Sequence, residues 1–391
     1  MSRGWVSLAI VAAGCAPGNP PTPPTPVPAL KTNWQPVMQF LDSAVAAGAA
    51  PGAVVAVTYG ADRFVYGTGQ LGADEPQRPD SATVYDLASL TKVVALLTMV
   101  MFAVDERLID LDAPIQRYVP AFTGPGKDRV TVRLLLAHAS GLPAIRLLYR
   151  EVSSRAEAFA LVDSTPLKYE LGTRETYSDL GAIVLTQAVE TVYGERLDSL
   201  VERRIFQPLG MGSTRYLPPA SWQDRIAPTE LEPWRGRILR GEVHDENAAI
   251  MDGVSGHAGL FGSAGDLLKF AEWLLARSGG QGNGPSVSPS VLREFTRRQN
   301  IVLGSTRALG WDMPSSENSS AGTRLSRKSF GHTGFTGTSL WIDPEHHVAI
   351  VLLSNRVNPT RDNPRWAPVR AKIADLVMTA LFEDRNDART Q

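Results

Sequence analysis

Residues 86–92 read DLASLTK, and residues 93–104, which follow, read VVALLTMVMFAV. The reading of this stretch decides the fold. An apolar run of that length is too short to span a bilayer and predicts a core helix over 89–107. Lys92 sits three places after Ser89, at the start of that helix, where an unpaired ammonium would be costly to bury. Residues three apart on a helix share a face, so both side chains can enter one cleft. A serine hydroxyl is a poor nucleophile until a base takes its proton. A lysine becomes that base if burial or neighbouring positive charge lowers its pKa. A serine at a helix start also has backbone N–H groups beside it, which suit a developing oxyanion. The competing reading is a solvated helix start where the two residues meet by chance.

Two further elements bear on the choice. Tyr177-Ser178-Asp179 follows the turn-like Leu171-Gly172-Thr173. A tyrosine beside a lysine can serve as a base, because positive charge stabilises its phenolate. Taken alone, it reads better as a core tyrosine before a helix capped by Ser178 or Asp179. Gly331-His332-Thr333-Gly334 precedes a strand. Glycines there let a sheet-edge backbone approach a ligand, and the His and Thr can meet a substrate carboxylate. The alternative is a turn with a surface histidine.

Taken together and in this order, the three elements resemble the serine β-lactamase and penicillin-binding-protein superfamily. The nearest branch is that of the class C β-lactamase-like serine hydrolases, which includes DD-carboxypeptidases and esterases. Four more stretches match it: Pro51-Gly52-Ala53-Val54-Val55, Leu111-Asp112-Ala113-Pro114, His138-Ala139-Ser140-Gly141-Leu142-Pro143 and Gly256-His257-Ala258-Gly259-Leu260-Phe261. The resemblance implies an α+β fold: an antiparallel sheet flanked by helices, with an inserted mainly helical lobe and the active site between the two. It implies Ser89 as the acylated nucleophile, with Lys92 and Tyr177 sharing the proton traffic. The backbone N–H groups of Ser89 and Phe335 would form the oxyanion hole, and Thr333 would orient the substrate.

Two residues depart from the family pattern. Asp179 stands where Asn is commoner, and an ionised carboxylate only accepts hydrogen bonds. Paired with Lys92 it would hold the lysine charged and favour Tyr177 as base. His332 stands where Lys is commoner, and a largely neutral imidazole grips an anionic substrate less firmly. Gly334 and His257 complete the expected substrate-binding set.

The element pattern agrees with this fold. Strands are predicted at 51–60, 63–70, 337–343 and 347–355, at both ends of the chain. Helices are predicted at 34–48, 155–163, 179–193, 197–206, 264–277 and 365–383, and one ends at Ser140-Gly141. Residues 212–250 read as irregular. The expected organisation is a discontinuous α/β domain at 34–88 and 255–385, with a mainly helical lobe at 89–254.

The chain has 391 residues, net charge −1 and 43% hydrophobic residues. No basic, aromatic-interleaved stretch points to nucleic acid. Residues 1–15, ending at the single Cys15, have the parts of a secretory signal, and Ala12-Ala13-Gly14-Cys15 resembles a lipobox with Cys15 as the lipidation site. The Pro-rich run at 16–33 favours extended polyproline II, which suits a tether. The expectation is an exported, lipid-anchored protein of the periplasm or outer cell envelope, touching membrane only through that anchor. The partner is a small-molecule or peptide substrate, and no cofactor is expected. The histidines and acids of 241–247 match no zinc spacing and read as a loop bracing the cleft. D-alanyl peptides rank first as substrates, then small esters, then β-lactams. A non-enzymatic wall-binding module is the remaining alternative. No G-x-S-x-G elbow supports a Ser-His-Asp hydrolase.

Overall fold

A computed structural model describes residues 1, 32–317 and 319–383. The expected signal, Cys15 and nearly all of the tether lie outside these described residues. Those from 33 onward form one compact unit.

The frame is a five-stranded antiparallel sheet in the order β2-β1-β10-β9-β8. Its strands are β1 (Gly52–Tyr59), β2 (Asp62–Gly69), β8 (Phe330–Thr333), β9 (Ser339–Asp343) and β10 (Val348–Ser354). The N-terminal hairpin thus pairs with the C-terminal strands, Val55 standing opposite Leu352. Strand β1 reads GAVVAVTY, with no polar alternation, because both of its faces are covered. Ala53, Val55 and Val57 pack in a cluster with Val37, Leu41, Val369 and Ile373 from helices Gln35–Ala46 and Ala367–Phe382. Val54 and Ala56 face the other way, into a cluster with Leu267, Leu268 and Ala271 of helix Ala264–Ser278. That second cluster continues without a break into Val93, Val100, Leu135, Ile183 and Val184. The sheet and the helical segments therefore share one core.

A smaller three-stranded sheet, β3-β7-β4, joins β3 (Val84–Asp86), β7 (Leu260–Ser263) and β4 (Arg215–Tyr216). A two-stranded ribbon joins β5 (Leu231–Glu232) and β6 (Arg237–Ile238). Both lie partly in the segment expected to be irregular. Their strands are too short for a period to show in sequence.

Several helices differ from expectation, including Glu246–Ile250 in the segment read as irregular. The predicted 89–107 helix opens with a widened π segment, Lys92–Leu97, before the regular turns Thr98–Asp105. Thr98 Oγ1 donates to Val93 O at 3.0 Å, bracing the end of that segment. Such bulges concentrate at functional sites. The helix predicted to run to Ser140-Gly141 spans only Val132–Leu136, because His138 adopts the left-handed conformation, φ +54°. Helix Pro289–Thr296, capped by Ser288, was not predicted from sequence. Among the described residues no helix is long and apolar enough to cross a membrane.

Candidate active site

Strand β3 ends at Asp86, and the chain turns sharply. The buried Asp86 carboxylate accepts from Ala88 N at 2.8 Å and from His244 N at 2.7 Å. Ala88 is held at φ +47°, a strained value for a residue with a Cβ. This turn presents Ser89 at the helix start, partly exposed to a pocket of about 610 Å³.

The loop after β8 is clamped to the same turn. Thr336 Oγ1 donates to Asp86 O at 2.7 Å, and Thr338 Oγ1 to Leu87 O at 2.9 Å. Gly334 has no room for a side chain: a Cβ there would lie 2.0 Å from Thr338 Oγ1 and 2.6 Å from Leu87 O. Close approach thus explains the glycine of the His-Thr-Gly segment, and it brings Phe335 beside Ser89 on the pocket lining. Neither Ser89 N–H nor Phe335 N–H has an acceptor among the described residues.

Lys92 is buried, and its three N–H bonds are all directed. They point to Ser89 Oγ at 3.1 Å, the His257 carbonyl at 2.9 Å and Asp179 Oδ1 at 2.7 Å. Burial pushes the ammonium toward losing its proton, but Asp179 and Tyr177 together outweigh it and the net pKa is raised. Asp179 opens helix Asp179–Tyr193, whose cap is Ser178. Tyr177 lies with its ring 4.9 Å from Lys92 Nζ. Its hydroxyl is buried and has no partner at hydrogen-bond geometry. Burial raises its pKa, and the nearby Lys92 and Ser89 only partly offset that. Both members of the Lys92–Tyr177 pair are therefore protonated at neutral pH.

His332 is buried on edge strand β8, with Nδ1 2.8 Å from Thr333 O, Nε2 unpartnered and its ring 5.8 Å from that of Tyr177. Burial, reinforced by Lys92 and Arg307 against Asp312, lowers its pKa to about 4. It is neutral at pH 7. His138 also braces the site: its Nδ1 accepts from Ser178 N at 3.1 Å and its ring lies 4.7 Å from Tyr177. His257 contributes its backbone carbonyl. Its ring is buried, with Nε2 2.8 Å from Asp245 and Nδ1 2.7 Å from Ser255 Oγ, so neither ring nitrogen is open to a ligand.

The 241–247 loop braces this wall. His244 stands on Glu230 at 2.8 Å and stacks 5.7 Å from Phe335. Asp245 caps helix Glu246–Ile250, and Glu246 pairs with Arg361. Among the described residues no three metal-ligating side chains converge.

The site thus sets a serine at a helix start, a lysine one turn on and a facing sheet edge, the arrangement expected of a serine hydrolase. The chain belongs to the Beta-lactamase family, whose pattern it matches over residues 37–375. It is 34% identical over 324 residues to a Salmonella schwarzengrund protein provisionally named a D-alanyl-D-alanine carboxypeptidase, covering 75% of this chain and 74% of the relative. An Escherichia coli K12 protein of the same provisional name is 32% identical over 333 residues, 77% of this chain and 75% of that one. Among solved structures, a penicillin-binding-protein homologue from Caulobacter crescentus matches with a TM-score of 0.72 at 19% identity, covering 89% of this chain and 97% of that one. A class C β-lactamase from Rhodobacter sphaeroides matches with a TM-score of 0.70 at 22% identity, covering 88% and 99%. These structural likenesses establish the β-lactamase-like α+β fold. Fold and family together make the chain a serine hydrolase.

Of the expected site residues, Ser89, Tyr177, Asp179, His257, His332, Thr333, Gly334 and Phe335 all line one pocket, with Lys92 buried directly behind Ser89. Sequence reading missed Asp86, Thr336, Thr338 and the arginines Arg307, Arg356, Arg361 and Arg370. An aspartate two places before a strained turn is a local signal that could have exposed Asp86. The arginines carry no local signal.

Proposed function

We propose that this hydrolase cleaves D-alanyl peptides or related amides through a Ser89 acyl-enzyme. The observation that carries the chemistry is Lys92, desolvated yet held between Ser89 Oγ and Asp179. The relatives' provisional name supports the peptide substrate. Ser89 Oγ attacks the acyl carbon, and the N–H groups of Ser89 and Phe335 receive the oxyanion. Lys92, kept cationic by Asp179, stabilises the developing alkoxide. The Lys92–Tyr177 pair titrates as a unit and must lose one proton before it can accept that of Ser89. The same pair then returns a proton to the leaving amine, and water reverses the sequence to free the enzyme. Export and lipidation at Cys15 complete the proposal, supported by the residue pattern of 1–15.

The test is a single preparation assayed for D-alanine release from a D-alanyl-D-alanine peptide, for p-nitrophenyl ester hydrolysis and for nitrocefin hydrolysis. D-alanine release that exceeds the other two in kcat/KM, and is lost in Ser89→Ala, supports the reading. Ester turnover without D-alanine release replaces it with a carboxylesterase, and nitrocefin turnover above both replaces it with a β-lactamase. Absence of fluorophosphonate labelling at Ser89 points to a wall-binding module instead.

A further inference from the structure

A second groove, larger than the active-site pocket, shares none of its lining residues. Its volume is about 1280 Å³, against about 610 Å³ for the pocket. It is lined by the end of helix Ala264–Ser278, by helix Pro289–Thr296 and by parts of 297–306 and 313–328. Thr306 and Met313 line the groove, and their chain neighbours Arg307 and Asp312 line the active-site pocket.

The charge of this groove is one-sided. Its lining holds six cations, Arg277, Arg293, Arg297, Arg298, Arg327 and Lys328, and a single carboxylate, Glu294. The whole chain is nearly neutral, at −1, so the excess is local. Glu294 is already engaged: it accepts from Arg297 Nε at 2.6 Å and pairs with Arg133, which lies outside the lining. Lys328 Nζ is 2.9 Å from Glu345. Among the described residues, the side chains of Arg293, Arg298 and Arg327 make neither an ion pair nor a hydrogen bond. Arg277 donates to a backbone carbonyl, that of Gly284 at 3.1 Å, and its Nε is buried with no acceptor. Between these cations the lining is apolar: Leu292, Met313 and Leu325 are buried there, and Pro289, Pro314 and Pro344 join them.

These features choose among anions. The volume exceeds the roughly 300–1,000 Å³ of ordinary small-molecule sites. A flat bilayer surface cannot enter a concavity. A phosphate polymer would answer the arginines and leave the apolar lining unused. A peptide that alternates carboxylates with aliphatic side chains answers both. Arginine suits that role, because its planar fork matches a carboxylate and its head is weakly hydrated.

We propose that this groove binds an acidic peptide segment of a partner, with its carboxylates on Arg277, Arg293, Arg298 and Arg327. The site is independent of the reaction at Ser89.

The test is fluorescence anisotropy on the whole protein with a labelled hexapeptide alternating Glu and Leu, and with its Gln counterpart. The Glu peptide should bind at least about tenfold more tightly, as expected where several contacts are charge-assisted. That advantage should shrink with added salt. It should approach one in the double variant Arg293→Gln, Arg298→Gln. It should survive in Arg129→Gln, which alters an exposed arginine outside the groove. Fluorophosphonate labelling of Ser89 should be equal in all of them. Circular dichroism reports folding whether or not Ser89 labels, so a failed nucleophile assignment leaves the groove standing. Equal binding of the two peptides, binding of neither, or the same loss in Arg129→Gln overturns the proposal. Tighter binding of phosphatidylglycerol vesicles or of inorganic polyphosphate, lost in the double variant, overturns it in favour of a lipid surface or a phosphate polymer. Salt-sensitive self-association lost in that variant overturns it in favour of a second copy of the chain.

Discussion

Two groups of charges face the same pocket and are built in opposite ways. At the Ser89 corner, Lys92 is buried and saturated by Ser89, His257 and Asp179. At the other wall, Arg356 and Arg370 have no carboxylate in an ion pair among the described residues and donate to backbone carbonyls instead. A fully paired buried charge is fixed in place and suits proton chemistry, where geometry must not vary. The two groups thus offset burial differently, one with a carboxylate and the other with backbone carbonyls.

The largest effect is expected from loss of the proposed nucleophile. Ser89→Ala should lower turnover by at least about a thousandfold, as for removal of other catalytic nucleophiles. Turnover within tenfold of wild type would move the chemistry elsewhere. Gly334→Ala tests the clamp that brings the sheet edge to Ser89. The added Cβ must displace Thr338 or the Leu87 carbonyl, and the shifted Phe335 N–H should cost about a hundredfold in kcat. Unchanged kcat would show that this N–H is not used.

The buried imidazole next to the corner links the site to stability. The folded-state pKa of His332, about 4, lies below the ordinary 6.5. The unfolded chain therefore binds more protons between those values, and stability falls as the pH drops through that window. The full effect of this group is about 3 kcal/mol. Urea unfolding at pH 7 and pH 4 should show wild type losing that much more stability than His332→Asn. Equal losses would mean the ring is not held neutral. Asp179→Asn addresses the charge on Lys92 directly. Without the carboxylate, the acid limb of kcat/KM should move down by about one pH unit. An unmoved limb would mean that the Lys92–Asp179 pair does not set it. Smallest is Thr338→Val, which removes one buried hydrogen bond to Leu87 O and should cost about 1 kcal/mol in chemical denaturation.

Sequence reading reached furthest where chemistry is local. Ser89 and Lys92 stand one helical turn apart, so their meeting follows from the helix alone. The sheet was legible because strands 52–59, 339–343 and 348–354 are rich in Val, Ile and Leu and bounded by turn residues. The apolar run 93–104 gave the helix but not its π segment, since that widening depends on how Lys92 is held. The early stop at Ala137 was hidden because a left-handed histidine has no sequence signature, and Pro289–Thr296 because eight residues give barely two turns of periodicity.

By itself, the sequence determined the family, strands β1, β2, β9 and β10, most of the long helices and the pairing expected of Asp179 with Lys92, and it set Ser89 and Lys92 one helical turn apart. Each depends on residue types at short spacing or on the identity of a few motif residues. Only the tertiary structure decided that Thr336 and Thr338 clamp the sheet edge to the Ser89 turn, that His257 meets Lys92 with its carbonyl, and that Arg356 and Arg370 have no carboxylate in an ion pair among the described residues. These contacts join residues up to 251 positions apart. Burial and charge balance are sums over everything a residue touches, and for such residues the chain settles those neighbours only when it folds.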